Sequence, residues 1–169
     1  MDPSSAASAA PLIRCATPED APALARLRFV FRMEQAGHPS SHEDEAAFIA
    51  RCTDWMATRL ADPHRWRCWV AARDGEPVGH VWVQFVDKLP NPLELPERIA
   101  YLTNFYVKPD ARGGTGSHLL AACLDGCHEA GVERVILWPT AASRSIYLRH
   151  GFAPPDDLLE LTLGRAWHG

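Results

Sequence analysis

The sequence predicts an α/β fold, a sheet flanked by helices, and three observations carry that prediction. Residues 107–120, Val-Lys-Pro-Asp-Ala-Arg-Gly-Gly-Thr-Gly-Ser-His-Leu-Leu, lead from a strand through a glycine-rich turn into a helix. From there to Gly151 the order is strand, glycine turn, helix, strand, short helix, in which consecutive strands run parallel. Upstream, two alternating runs meet at Asp74-Gly75, a hairpin dipeptide.

Taken in order, Leu12 to Ala16 reads as a short strand. Thr17-Pro18-Glu19-Asp20 is a helix start, with a cap, proline at the first helical position and an acidic first turn. That helix extends to about Glu34, with Leu24, Leu27, Val30 and Phe31 as its apolar stripe. A second helix begins at or just after Ser41, turns Phe48, Ile49, Cys52, Trp55, Met56 and Leu60 inward, and is broken by Pro63. Trp66–Arg73 and Val78–Val86 form the hairpin. Val81, Val83 and Phe85 share one face of its second strand and are assigned to the core; His80, Trp82 and Gln84 share the other, which suits either a solvated face or the wall of a substrate cavity. The Pro-rich stretch from Lys88 to Glu97 joins two strands. Ile99–Val107 is apolar on both faces apart from Thr103 and Asn104, as a central strand is, and Val132–Trp138 reads as a buried parallel strand. A helical stretch follows Pro139-Thr140 and ends at Gly151, and the alternating run Leu158–Leu163 is expected to close the sheet as an antiparallel strand.

The glycine turn is the segment with chemistry in it. Pro109 stops the strand, and Gly113, Gly114 and Gly116 remove the Cβ atoms that would keep a ligand from the backbone. Leu119, Leu120, Cys123, Leu124 and Cys127 then recur at helical spacing, so the turn's N–H groups head an amphipathic helix whose dipole favours an anion such as a pyrophosphate. A P-loop needs Lys and then Ser or Thr after its last glycine, whereas Ser117 and His118 follow Gly116. A dinucleotide fingerprint needs other glycine intervals. A glycine-rich surface turn remains the unspecific alternative.

Composition narrows the class. The 169 residues, 47% hydrophobic and 22% charged, suffice for one domain with an adequate core. A net charge of −4 and a pI near 6.0, without a run of Lys or Arg, argue against a nucleic-acid surface and mildly favour cationic or amine substrates. Cys15, Cys52, Cys68, Cys123 and Cys127 have no CxxC or Cys/His metal spacing and read as reduced core residues, so no metal is expected. Residues 1–11 are small and polar, a disordered tail rather than a signal peptide, with the domain occupying 12–169. No apolar run is long enough to cross a bilayer, and a cytoplasmic location without membrane association is expected.

Ile146-Tyr147-Leu148-Arg149-His150-Gly151-Phe152 adds a second motif. With the first it makes the chain resemble the GNAT superfamily of acyl-CoA-dependent N-acyltransferases. Residues 107–120 resemble that family's Val-x-Pro-x-x-Arg-Gly-x-Gly-x-Gly-Ser-x-Leu-Leu, and the later stretch resembles Asn-x-x-Ala-x-x-Leu-Tyr-x-x-x-Gly-Phe. The turn here is one residue shorter, with Ala111 where Gln or Arg is usual and Arg112 one place late; Thr140 stands at the Asn position and Ser143 at the Ala position. The resemblance implies a mixed sheet of about six to seven strands whose parallel strands 4 and 5 diverge to admit the pantetheine arm of acetyl-CoA. It implies donor contacts from Phe105, Tyr106, Val107, Arg112, Gly113, Gly114, Thr115, Gly116, Ser117, Thr140, Ser143 and Tyr147, with the backbone of Phe105 and Val107 pairing like an added strand. Arg112 either touches a phosphate or only shapes the turn, and Thr140 also fits a helix N-cap.

The implied reaction is direct transfer of an acetyl group from acetyl-CoA to a primary amine, with no metal. Tyr147 resembles the tyrosine that serves as general acid toward the CoA sulfur; the alternative is that it only packs beneath the donor. Tyr101-Leu102-Thr103-Asn104 has no carboxylate, so Asn104 can orient a water, and His80, Glu94 and Glu97 are the candidate bases. His118 and His150 read as exposed or packing residues. The partners implied are acetyl-CoA and an amine acceptor, with homodimerisation left open. Two rivals stand beside this reading: a member that binds acyl-CoA as a sensor without turnover, and an unrelated phosphate-binding α/β domain.

Overall fold

The computed structural model describes residues 10–36, 44–93, 98–161 and 163. The expected tail through residue 9, the helix start at Ser41, and Glu94 and Glu97 lie outside the described residues. The chain divides into two compact units, one through Leu137 and one from Trp138.

The first unit is built on a five-stranded sheet ordered β1 (Leu12–Cys15), β2 (Trp66–Arg73), β3 (Glu76–Asp87), β4 (Arg98–Val107), β5 (Arg134–Ile136). The first four strands pair antiparallel, and β5 runs parallel to β4. The β2–β3 turn has Asp74 at φ 53° and Gly75 at φ 84°, the two left-handed residues of a type I′ turn. Helices α1 (Ala21–Ala36) and α2 (Glu45–Leu60) enter one core cluster with Cys68, Val70 and Trp82. Helix α3 (Thr115–Glu129) covers the other face, where Gly126 lets the helix approach the indole of Trp69 closely. The helix starts follow their caps. Asp20 accepts the Thr17 backbone N–H at 2.8 Å and a two-pronged contact from Arg14 at 2.7 and 2.8 Å, which holds its carboxyl below the usual range. Asp44 caps α2 through the N–H groups of Ala46 and Ala47.

Several expectations need correction. The sheet has five strands among the described residues, not six to seven. Leu158–Leu161 and Leu163 form no strand, and Leu159, Leu161 and Leu163 are exposed. Alternation specifies which face a strand would bury, but only a free partner edge makes a strand. The parallel strand is shorter than expected, confined to Arg134–Ile136 and half-buried rather than buried. In α1 the stripe turns at Leu24, Ala25 and Leu27, leaving Val30 exposed and Phe31 half-buried. In β3 both faces are buried: His80 and Trp82 lie at 0% and 1% exposure, so that face is not solvated. All five cysteines are free, with Cys15 exposed rather than in the core. No helix among the described residues is long and apolar enough to cross a membrane.

The second unit contains one short helix, α4 (Arg144–Arg149). It begins later than the expected Thr140 because Thr140 and Ser143 close a turn on each other. The Thr140 N–H donates to Ser143 Oγ at 3.0 Å and the Ser143 N–H to Thr140 Oγ1 at 3.2 Å. Thr140 therefore stands outside the helix, and Ser143 holds its N-cap position.

Candidate functional site

Strand β4 is regular until Thr103 and then bulges. Trp82 pairs with Thr103 and His80 with Tyr106, so one residue of β3, Val81, faces two of β4, Asn104 and Phe105. Asn104 absorbs the extra residue at φ 51°, a left-handed conformation that asparagine tolerates better than other side chains with a Cβ. The Arg28 guanidinium of α1 donates to Asn104 Oδ1 at 2.9 Å and so pins the side chain. On the far edge, pairing with β5 covers only Ile99, Ala100 and Tyr101. Beyond Tyr101 the parallel ladder stops while β4 continues to Val107.

The turn after β4 matches the sequence reading. A 3-10 turn, Pro109–Ala111, is followed by Gly113 at φ 88° and Gly114 at φ 107°. Both glycines face open space, so what keeps side chains out is the backbone angle rather than crowding. Gly114 is the N-cap of α3, and the first turn closes with the His118 N–H on the Gly114 carbonyl at 3.1 Å. The helix N-terminus at Thr115 and Gly116 thus carries the positive dipole end expected of an anion cradle. Arg112 is committed to the turn: its Nε donates to the Val107 carbonyl at 3.1 Å, and its Nη2 lies 3.9 Å from Glu34. The Glu34 carboxylate also accepts the Tyr106 hydroxyl at 2.7 Å, and burial together with that bond pushes the phenol up. Tyr106 is buried and its ring packs on Phe31 at 5.1 Å, so its side chain faces α1.

Cross-strand pairing brings His80 beside Tyr106, with ring centroids 6.3 Å apart, and close to Asn104. The imidazole is fully buried, and neither ring nitrogen reaches hydrogen-bonding geometry with a described residue. Burial first, and the Arg28 charge second, lower its pKa to about 3; the Asn104 backbone is near enough to oppose this slightly without forming a bond. A base with that conjugate acid takes a proton from an ammonium poorly, which sets His80 against the base role.

In the second unit, the Tyr-x-x-x-Gly-Phe motif is a helix stop. Gly151 takes φ 87°, its N–H bonds the Leu148 carbonyl at 3.1 Å, and the Phe152 N–H bonds the Tyr147 carbonyl at 3.1 Å. These are the two bonds of a Schellman motif, and the accompanying apolar contact is Tyr147 against Phe152, edge to face at 5.5 Å. Glycine and phenylalanine at those positions therefore fix the buried ring of Tyr147.

Residues 27–152 match the profile of the acetyltransferase (GNAT) family. The chain belongs to the GNAT acetyltransferase family. No curated protein matches it significantly. Among solved structures it is similar to a predicted acetyltransferase with acetyl-CoA from Clostridium acetobutylicum, at 22% identity and TM-score 0.72, covering 89% of this chain and 95% of that one. It is similar to a GCN5-related N-acetyltransferase from Ralstonia eutropha, at 24% identity and TM-score 0.68, covering 90% and 99%. A ribosomal-protein-alanine N-acetyltransferase from Brucella melitensis aligns at 22% identity and TM-score 0.62, covering 90% and 99%. At these identities the likenesses show the GNAT fold, with its parallel β4–β5 pair.

In that fold the structure gathers His80, Asn104, Phe105, Tyr106, Val107 and the turn 112–117 in the first unit, and Thr140, Ser143 and Tyr147 in the second. Sequence reasoning missed Arg28 and Glu34, whose side chains hold the bulge and Tyr106. A signal existed for Arg28: it follows Leu24 by four residues on the inward side of α1, an unusual place for a guanidinium.

Proposed function

We propose that this protein transfers an acetyl group from acetyl-CoA to a primary amine by direct attack. The observation that carries this reading is the glycine turn: Gly113 and Gly114 present open, left-handed backbone at the head of α3, directly after a strand that has bulged and lost its parallel partner. The residues fit a pyrophosphate held by Gly113, Gly114, Thr115, Gly116 and Ser117. Arg112 orders the cradle from behind, and β4 at Phe105, Tyr106 and Val107 lies along the pantetheine arm. Thr140 and Ser143 are further candidates for contact with the donor, on the strength of the second motif's likeness to the family. We take residues 12–169 as the acetyltransferase domain and place it in the cytoplasm, where its five free cysteines remain reduced.

The reaction forms a C–N bond to the amine and breaks the C–S bond of the thioester. The amine must attack neutral, and its proton leaves to water, since His80 is too weak a base and Asn104 can only orient. Tyr147 supplies the thiolate's proton: its phenol carries an O–H that can be donated to a thiolate, and the helix stop holds its ring in one place.

A second reading is favoured by one observation, that the imidazole of His80 is fully buried and Asn104 carries no ionisable group: a protein that binds acyl-CoA without turnover. Acetyl-CoA titration separates the cases. Both readings expect a rise in melting temperature of several degrees with millimolar acetyl-CoA, through binding to the folded state, and only the enzyme releases thiol when an amine is added. No binding by calorimetry and no thermal shift would remove both.

A further inference from the structure

Arg28 is more than a clamp. Its Nη1 is used on Asn104 Oδ1 and its plane lies over Phe31 at 5.9 Å, but among the described residues no carboxylate pairs with it. Arg32, one helical turn on, carries a charge of its own sign, and burial first and that neighbour second pull the guanidinium below its usual pKa. On the same side of the sheet sits His80, fully buried, with no hydrogen-bond partner for either nitrogen among the described residues. A half-buried cation with no counter-ion among the described residues, beside an imidazole with no partner among them, is a poor arrangement by itself, and it becomes a good one when an anion completes it. A guanidinium with one N–H committed keeps the rest of its planar fork, which matches a carboxylate. Phe29 and Phe48, tilted against each other with ring centroids 5.7 Å apart, add half-buried apolar surface between α1 and α2.

We propose that Arg28 binds the carboxylate of the acceptor, so that the amine acetylated is a free amino acid or a comparable small amino carboxylate. This rests on the acetyltransferase reading and names its substrate class. It runs against the net charge of −4, which acts on distant approach, because Arg28 and Arg32 make the local field beside the bulge positive.

The test compares common L-amino acids with their carboxamides, which keep the side chain, lose the negative charge and carry a less basic amine, so rates are compared per neutral amine. Binding to the protein saturated with CoA is followed by calorimetry, and turnover by thiol release from acetyl-CoA. The expected result is that at least one acid binds about ten- to a hundredfold tighter than its carboxamide, as a charge-assisted pair requires. Arg28→Gln should erase that preference and Arg28→Lys keep part of it, with far-UV circular dichroism confirming the fold of each; if a variant does not fold, the wild-type comparison decides alone. Equal binding of acids and carboxamides, no binding of any acid, or a preference that survives Arg28→Gln would overturn the proposal. Tight, Arg28-dependent binding of acids without thiol release would support the carboxylate site and overturn the enzyme reading. Thiol release as fast with carboxamides as with acids would do the reverse.

Discussion

His80 gives the first test of how the site is built, because its burial converts into a pH dependence of folding. In the unfolded chain its imidazole titrates near 6.5, whereas in the folded protein it titrates at about 3. Between these values the unfolded chain binds the proton and the folded protein does not, so stability is full above about pH 6.5 and falls as the pH is lowered toward 3. Each unit within that window costs up to about 1.36 kcal/mol. At pH 4.5, roughly two units inside it, His80 alone has removed about 2.5 kcal/mol relative to neutral pH. His80→Leu, of similar volume, deletes both the titration and the two unpartnered nitrogens. It should match or exceed wild-type stability at pH 7 and lose much less on acidification. Urea unfolding of both proteins across pH 4.5 to 7.5 measures the difference, in which the exposed histidines and Asp20 cancel. Parallel loss of stability in the two proteins would mean that His80 is solvated or paired when folded, and the account of its imidazole as buried and unpaired beside the bulge would be wrong.

Four further outcomes follow from named contacts and backbone angles. Gly126→Ala places a Cβ on Trp69 Cζ2 in the buried interface of α3 with the sheet; a loss of about 2 kcal/mol, roughly 4–8 °C in Tm, is expected by thermal melting. Gly114→Val strains a backbone at φ 107° in open space, so acetyl-CoA affinity should fall by tenfold or more in calorimetry while the fold persists at a cost of about 1–3 kcal/mol. Arg112→Ala should cost less affinity, since its guanidinium is turned to Val107 and Glu34; a larger effect from Arg112 would return the phosphate contact to the side chain. Tyr147→Phe keeps the ring that packs on Phe152 and removes the proton, so kcat should fall about a hundredfold with donor affinity unchanged, and full activity in steady-state kinetics would end the general-acid assignment.

Local patterns carried much of the fold. The Asp74-Gly75 hairpin, the proline stop after β4 and the glycine turn into α3 are each set by residues within a few positions of one another, and such features are legible without tertiary context. The extent of β5 and the unpaired leucines at 158–163 were not, because a strand's length depends on the edge it meets. The site shows the same division. Its glycines could be read directly, and the Tyr147 motif could be recognised, but its meaning as a helix stop needed the hydrogen bonds of Gly151 and Phe152. The bulge at Asn104 and its partner Arg28 lie 76 positions apart in the chain, and neither residue alone signals the other. His80 looked like a base because an isolated histidine titrates near neutrality; the burial that disqualifies it is a property of both sheet faces being covered.

The central claim is that the glycine turn binds acetyl-CoA in order to acetylate an amine. The most direct measurement is amine-dependent release of CoA thiol, with the acetylated acceptor identified by mass in the same reaction. The account predicts release that saturates with acetyl-CoA, depends on the added amine and, in Gly114→Val, needs at least about tenfold more acetyl-CoA to saturate. Tight acetyl-CoA binding with no amine-dependent release and no acetylated product across amino acids, polyamines and peptide N-termini would contradict it, and would leave the chain as an acyl-CoA-binding module on an acetyltransferase fold.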